Sequence, residues 1–265
     1  NILSHLEALL GLQVQVALVT GGSSGWGTHA GRALAKAGAS VDLVARREDR
    51  LKALADDLAP LGVKTAAVPA DVTDRAQIEA AFDETERQLG PVSILLHGAG
   101  VAKLRRAERH KREEWDQVMA IDLTAAFELS QIFANRMLDR GASTGRIIYL
   151  SSVMGLVANS VHRCVSYQAA KHGVHGLTKQ LAIEWAQHGI TVNSIAPSYF
   201  PTEMTIDPRS GEIPTEMRER MELMTPMGRT GRLEEIEPAV VFLASPASSY
   251  VTGTVVPVDG GWTAW

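Results

Sequence analysis

The chain has 265 residues, 45% of them hydrophobic, and its 26 Lys and Arg against 30 Asp and Glu give a formal net charge of -4. That length is enough to bury a large core in a single α/β domain spanning residues 1–265, and the acidic balance excludes the basic field that would gather nucleic acid or an anionic membrane. Cys164 is the only cysteine, so an internal disulfide is excluded; no apolar run reaches the roughly 20 residues of a bilayer span, and a soluble, cytoplasmic protein is expected.

In chain order, residues 14–20 form a short apolar, β-branched run that ends in glycines, and residues 27–37 then read as an Ala- and Leu-rich helix. Strand, glycine turn and helix open a βαβ unit. The same alternation predicts further strands at 40–45, 65–69, 93–97, 146–151, 191–196 and 254–258, so the fold class is α/β, a doubly wound parallel sheet of about seven strands with helices on both faces. The least regular stretch begins at residue 198, where Pro201, Pro208 and Pro214 interrupt helical continuity before a helix predicted at 215–224. Residues 198–225 are expected to form a lid over a ligand.

The glycine turn reads Thr20-Gly21-Gly22-Ser23-Ser24-Gly25-Trp26-Gly27. Gly21 suits a tight turn, Gly25 lets backbone amides approach a pyrophosphate, and Gly27 lets the helix lie close to the sheet. The N-terminus of that helix then faces the anion, which makes a dinucleotide the expected cofactor. The second strand runs into Arg46 and Arg47 with no acid at its end, and a guanidinium fork there suits a 2'-phosphate, so NADP(H) is expected over NAD(H). Asp71 and Val72 close the third strand, where they are placed to hold the adenine; His97, Gly98 and Ala99 close the fourth, where small residues permit close approach.

Tyr167 and Lys171 lie four residues apart, so both side chains leave one face of a helix and reach one bound molecule. Carbonyl reduction needs a hydride on carbon and a proton on oxygen, and a phenol near its ordinary pKa of about 10 is a poor base at neutral pH. A neighbouring ammonium favours the phenolate, which makes Tyr167 the expected acid/base. Ser152 is expected to polarise the substrate oxygen, with Ser151 as the competing assignment. His172 and His175 share a helical face without a third ligand, so no metal site is expected.

These residues, together with Asn193 to Pro197, Thr202 and Asp259-Gly260-Gly261, resemble the short-chain dehydrogenase/reductase family over nearly the whole chain. The resemblance implies a Rossmann-type sheet, hydride transfer between a nicotinamide cofactor and an alcohol or ketone, Lys171 binding the nicotinamide ribose, Pro197 and Thr202 near the carboxamide, and a homotetramer. Two departures stand out: His97-Gly98 replaces a common Asn-Asn, and Asp122 replaces an Asn that in the family helps hold a proton-relaying water. Asp122 is expected to support catalysis, either through that relay or by coupling electrically to Lys171.

Residues 184–193 and 196–205 resemble the gluconate 5-dehydrogenase and deoxygluconate dehydrogenase branch, which implies a sugar acid or polyol as the small-molecule substrate. Arg163 matches an arginine of that branch and suits a carboxylate; Met154, His162 and Tyr199 are further candidates for the pocket wall. The alternative enzyme reading is a general carbonyl or 3-oxoacyl thioester reductase. The non-enzyme alternative, an NADP(H)-binding sensor, sits poorly with an intact set of Ser152, Tyr167 and Lys171.

Overall fold

A computed structural model describes residues 2–264. Its centre is a parallel sheet built from β1 (Val16–Thr20), β2 (Ser40–Ala45), β3 (Thr65–Pro69), β4 (Ile94–His97), β5 (Gly145–Leu150), β6 (Ile190–Pro197) and β7 (Val255–Val258). The strand order is β3-β2-β1-β4-β5-β6-β7, and every pairing is parallel. All seven predicted strands form, with ends shifted by at most two residues. The sheet is a Rossmann-type α/β fold.

Side-chain alternation along the strands divides the core in two. Ala17 and Val19 of β1 pack with Ala30 and Leu34 of α2 (Gly25–Lys36), Leu51 of α3 (Glu48–Leu58) and Val240 of α9 (Glu237–Ala244). Val16 and Leu18 face the other way, onto Ile78 and Phe82 of α4 (Arg75–Leu89), Phe133 of α6 (Ala125–Asp139) and Val174 of α7 (Val165–Trp185). Both faces being covered explains why β4, β5 and β6 are buried along their entire length.

Two features matter for the site. Strand order reverses between β1 and β4, so the loops leaving their C-terminal ends diverge and open a crevice there. The second is a π turn, Ala120–Thr124, that joins α5 (Arg112–Met119) to α6. Its wider winding, in which the Ala125 N–H reaches back to the Ala120 carbonyl, inserts one extra residue and brings Asp122 into the interior beneath the crevice. The remaining helices are α1 (Ile2–Leu10), which lies ahead of the first strand, and α8 (Thr215–Leu223), which follows the irregular segment after β6. None of the helices is long and apolar enough to cross a membrane among the described residues.

Candidate active site

The crevice holds two connected cavities. The first, about 380 Å³, lies over the C-terminal ends of β1, β2 and β3, and its wall includes Gly21, Ser23, Ser24, Gly25 and Trp26. Gly21 has φ +72°, and a Cβ there would stand 2.6 Å from the Ala99 backbone nitrogen, so the turn and the end of β4 approach as only glycine permits. A Cβ on Gly27 would lie 2.2 Å from the Gly21 carbonyl oxygen, which is how α2 seats directly on the turn. At Gly25, φ +53°, a Cβ would meet only Thr202 at 3.9 Å; it would project into the cleft and fill it. Ser24 caps α2 without a side-chain hydrogen bond, which leaves the first-turn amides to an anion. Glycines with an open cradle and a bare helix start fit a dinucleotide pyrophosphate.

Arg46, Arg47, Asp71, Val72, Gly98 and Ala99 complete this cleft. Arg47 donates to the Ser23 hydroxyl at 3.2 Å and to the Ser24 hydroxyl at 2.9 Å, so its guanidinium lies over the turn. Glu203, from the irregular segment, reaches across to Arg47 at 3.5 Å and Arg50 at 2.6 Å. The Asp71 carboxylate accepts from the Thr73 N–H at 2.9 Å; that bond and the nearby Arg46 hold its pKa below the usual carboxylate range. His97 does not reach the cleft wall. Its ring turns inward from β4, where Nδ1 sits 2.8 Å from the hydroxyl of Thr20, its register partner on β1, and the wall begins one residue later at Gly98. Burial and the charge of Lys171 push its pKa down to about 3, so the ring is neutral.

The second cavity, about 470 Å³, shares Trp26, Gly100, Val101, Thr202, Glu203 and Met204 with the first, so the nucleotide cleft opens directly into it. Tyr167, Ser152 and Pro197 line it. Ser152 sits at the end of β5, caps the 3-10 turn Val153–Gly155 by accepting from the Met154 N–H at 3.1 Å, and lies near enough to the Tyr167 phenol for its hydroxyl to favour the phenolate. Lys171 is buried one helical turn beyond Tyr167, with Nζ 5.2 Å from the phenol ring centroid. Its Nζ donates to the Leu150 carbonyl at 3.3 Å and stands 3.2 Å from Asp122 Oδ2. Ser151 also borders the cavity, but its hydroxyl is engaged: it meets His175 Nε2 at 2.8 Å, and His175 Nδ1 meets the Gly155 carbonyl at the same distance.

The electrostatics modify the expectation for Tyr167. Burial raises the phenol pKa and outweighs the lowering by Lys171, while the Asp122 carboxylate adds to the rise. Asp122 keeps its Oδ1 on the Val101 N–H at 2.8 Å, which ties the shared wall of the two cavities to the π turn.

Met154, His162 and Tyr199 line the second cavity. Asn159 accounts for the long loop between Ser152 and Tyr167: its Nδ2 donates to the Tyr199 hydroxyl at 2.7 Å and its Oδ1 accepts from the Val161 N–H at 2.7 Å. Tyr199 then stacks edge-on against Trp262 and His162, with centroids 5.0 and 5.5 Å away. Arg163 is not in this wall. The chain is extended there and pairs with Arg105 in a short bridge, so His162 and Cys164 point inward while Arg163 points to solvent. Burial pushes the Cys164 thiol up to about 11, which leaves it a neutral wall group.

Lys103 was not singled out in the sequence, yet it lines the second cavity, and no ion-pair partner for it is found among the described residues. The acidic wall residue, Glu203, is engaged by two arginines. The only advance signal for Lys103 was a basic run, Lys103 to Arg106, shortly after the fourth strand, and such runs are usually solvated surface.

Comparison with known proteins agrees with this architecture. Residues 21–263 match the family model described as enoyl-(acyl carrier protein) reductase. The chain is 44% identical over 256 residues to a galactitol 2-dehydrogenase (L-tagatose-forming) from Cereibacter sphaeroides, covering 94% of this chain and 95% of that one. It is 37% identical to a gluconate 5-dehydrogenase from Gluconobacter oxydans, over 98% and 99% of the two chains. A gluconate 5-dehydrogenase from Burkholderia cenocepacia, solved in complex with NADP and tartrate, superposes with a TM-score of 0.91 at 33% identity, covering 98% of this chain and all of that one. The chain belongs to the short-chain dehydrogenase/reductase family and is an oxidoreductase of its alcohol dehydrogenase/ketoreductase class.

Proposed function

We propose that this enzyme interconverts a secondary alcohol and a ketone on a polyol or sugar acid, with NADP(H) as its cofactor and Tyr167 as its acid/base. The observation that carries the reading is the meeting of the Tyr167 phenol, the Ser152 hydroxyl and the Lys171 ammonium where the nucleotide cleft enters the second cavity. Gly21, Gly25 and the open start of α2 would hold the pyrophosphate, Arg46 and Arg47 a 2'-phosphate, and Thr202 the nicotinamide end. The bound nicotinamide supplies the hydride chemistry.

The chain's own residues do the rest. Ser152 donates to the substrate oxygen and fixes its position. In reduction Tyr167 passes its phenolic proton to that oxygen, and in oxidation it takes the proton back. Lys171 stabilises the phenolate that reduction leaves behind. Asp122 supports the set through its contact with Lys171. Residues 198–225 serve as the substrate lid, supported by Tyr199, Met204 and Thr205 in the cavity wall.

Three observations favour a hydroxylated substrate, and the last two of them an anionic one. The galactitol and gluconate dehydrogenases act on polyhydroxy compounds by name, the Burkholderia gluconate 5-dehydrogenase binds NADP and a dicarboxylate, and Lys103 brings an unpaired cation to the cavity. The homotetramer belongs to the same reading, supported by Phe127 and Ile183 exposed on α6 and α7; sedimentation velocity tests it.

Initial rates with NADPH and NADH, each against 5-ketogluconate, L-tagatose and a bulky aryl ketone, test the assignment. Faster NADPH oxidation with a keto sugar or keto acid is expected. Turnover confined to the aryl ketone would overturn the substrate class, and a preference for NADH would overturn the cofactor.

A further inference from the structure

Asp122 is completely buried in the π turn, and its Oδ2 stands 3.2 Å from the Lys171 ammonium. Gly100 makes room for the pair: a Cβ there would lie 3.0 Å from Oδ2 and 3.5 Å from Nζ. We propose that the Asp122 carboxylate is a positioning residue that acts as a fixed counter-charge to Lys171 and thereby sets the pH at which Tyr167 releases its proton.

The argument rests on which groups near Tyr167 carry charge. His97, at the end of β4, has its pKa pushed down to about 3, and His175, one turn further along α7, to about 4; both rings are neutral in the working range. Cys164, just before α7, stays a thiol because burial pushes it up to about 11. Ser152, from the end of β5, offers only a hydroxyl. Lys103, Glu203 and His162 line the same cavity as Tyr167, with Glu203 engaged by Arg47 and Arg50 and the His162 pKa lowered by burial; Lys171 and Asp122 are the charged pair that acts on the phenol. Burial raises the Asp122 carboxyl, while Lys171 and the Val101 N–H oppose that rise and favour its ionised form; the carboxylate in turn favours the Lys171 ammonium against the burial that would discharge it. The Tyr167 phenolate also favours the Lys171 ammonium, so with a neutral side chain at 122 the forming phenolate itself keeps the cation, whose field on Tyr167 is then uncompensated, and the phenolate would form at lower pH. With Asp122 the two fields partly cancel, and burial keeps the phenol protonated further into the alkaline range.

The consequence for turnover concerns the position of the pH profile, since the reaction equilibrium is fixed by the reactants. Tyr167 remains a proton donor for reduction up to higher pH, and oxidation rises through a more alkaline midpoint. The inference assumes the acid/base role given to Tyr167 above, but its test does not depend on turnover.

The experiment is an ultraviolet titration of tyrosinate in the intact enzyme, with the Tyr167→Phe protein subtracted so that only Tyr167 is read. In the parent enzyme Tyr167 is expected to titrate above the ordinary phenol value of about 10. In Asp122→Asn, an uncharged isostere, the same difference titration is expected to fall by about one to two units. A Tyr167 midpoint below the ordinary value in the parent, or an unmoved midpoint in Asp122→Asn, would overturn the proposal. If Asp122→Asn does not fold, the parent titration decides alone. An enzyme inactive on every ketone would defeat the acid/base reading while leaving these midpoints to be read.

Discussion

The two cavities are made of different material. Main chain dominates the nucleotide cleft: glycines at strand ends, helix amides and short-range turns, with two arginines added at one edge. The substrate cavity is walled by side chains from loops, among them Lys103, Met154, His162 and Tyr199. Backbone donors come with the fold, so the cleft binds one kind of ligand throughout a family. Side-chain walls change by substitution without disturbing the sheet, so under the proposed function the second cavity is where a choice among alcohols and ketones would be made.

The sharpest test of that division is Tyr167→Phe. It deletes one hydroxyl from the substrate cavity and nothing from the cleft, so kcat should fall by about 10³-fold or more while NADPH affinity, followed by nicotinamide fluorescence, stays within about twofold. Retained turnover would remove Tyr167 from the chemistry. A parallel loss of cofactor affinity would show that the two regions are not separable.

The converse change is Arg46→Ala combined with Arg47→Ala. Loss of charge-assisted contacts to a 2'-phosphate should weaken NADPH by about 10- to 100-fold and leave NADH nearly unchanged. Equal losses for both cofactors, measured by fluorescence titration, would reassign the arginines to adenine stacking or to the turn that Arg47 already braces through Ser23 and Ser24.

Lys103→Met keeps the apolar stem and removes the charge. KM for 5-ketogluconate should rise about 10-fold, with KM for an uncharged ketose unaffected. If both change together, Lys103 only shapes the wall.

The smallest effect lies outside both regions. Asp42 on β2 is completely buried and takes a hydrogen bond from the Thr85 hydroxyl, and burial raises its carboxyl to about 6. Between roughly pH 4 and 6 the folded chain keeps a proton that the unfolded chain has lost, so this group's contribution to stability declines as pH rises through that window and stays low above it. Asp42→Asn keeps an acceptor for Thr85 without the charge. The variant should gain ~1–2 kcal/mol above pH 7 and close to nothing near pH 4, read from thermal melts. A difference independent of pH would refute the assignment.

Much of the cleft was legible in the sequence because its determinants are local. Gly21, Gly25 and Gly27 follow a β-branched strand within a few residues, and Tyr167 and Lys171 share one helical turn. Loop-borne side chains were harder to place. Arg163 and Lys103 are both basic residues in connecting segments, and whether each faces the cavity or solvent depends on how the 103–106 and 162–164 stretches lie against one another. His97 followed the strand pattern correctly, but its ring was claimed from across the sheet by Thr20.

Periodicity and turn chemistry alone determined a doubly wound sheet, the glycine turn that lines the first cavity, and the Tyr167–Lys171 face, because each depends on residues a few positions apart. Tertiary packing alone decided three things: the joining of the two cavities, the facing of Lys103 rather than Arg163 into the second, and the burial of Asp122 against Lys171. These contacts connect segments far apart in the chain, for example Arg105 with Arg163, Leu150 with Lys171 and Asp122 with Lys171, and they exist only once the sheet has brought β4, β5 and α7 together. Burial then turns a surface-like ion pair into a charge arrangement that acts on Tyr167, because water no longer screens it.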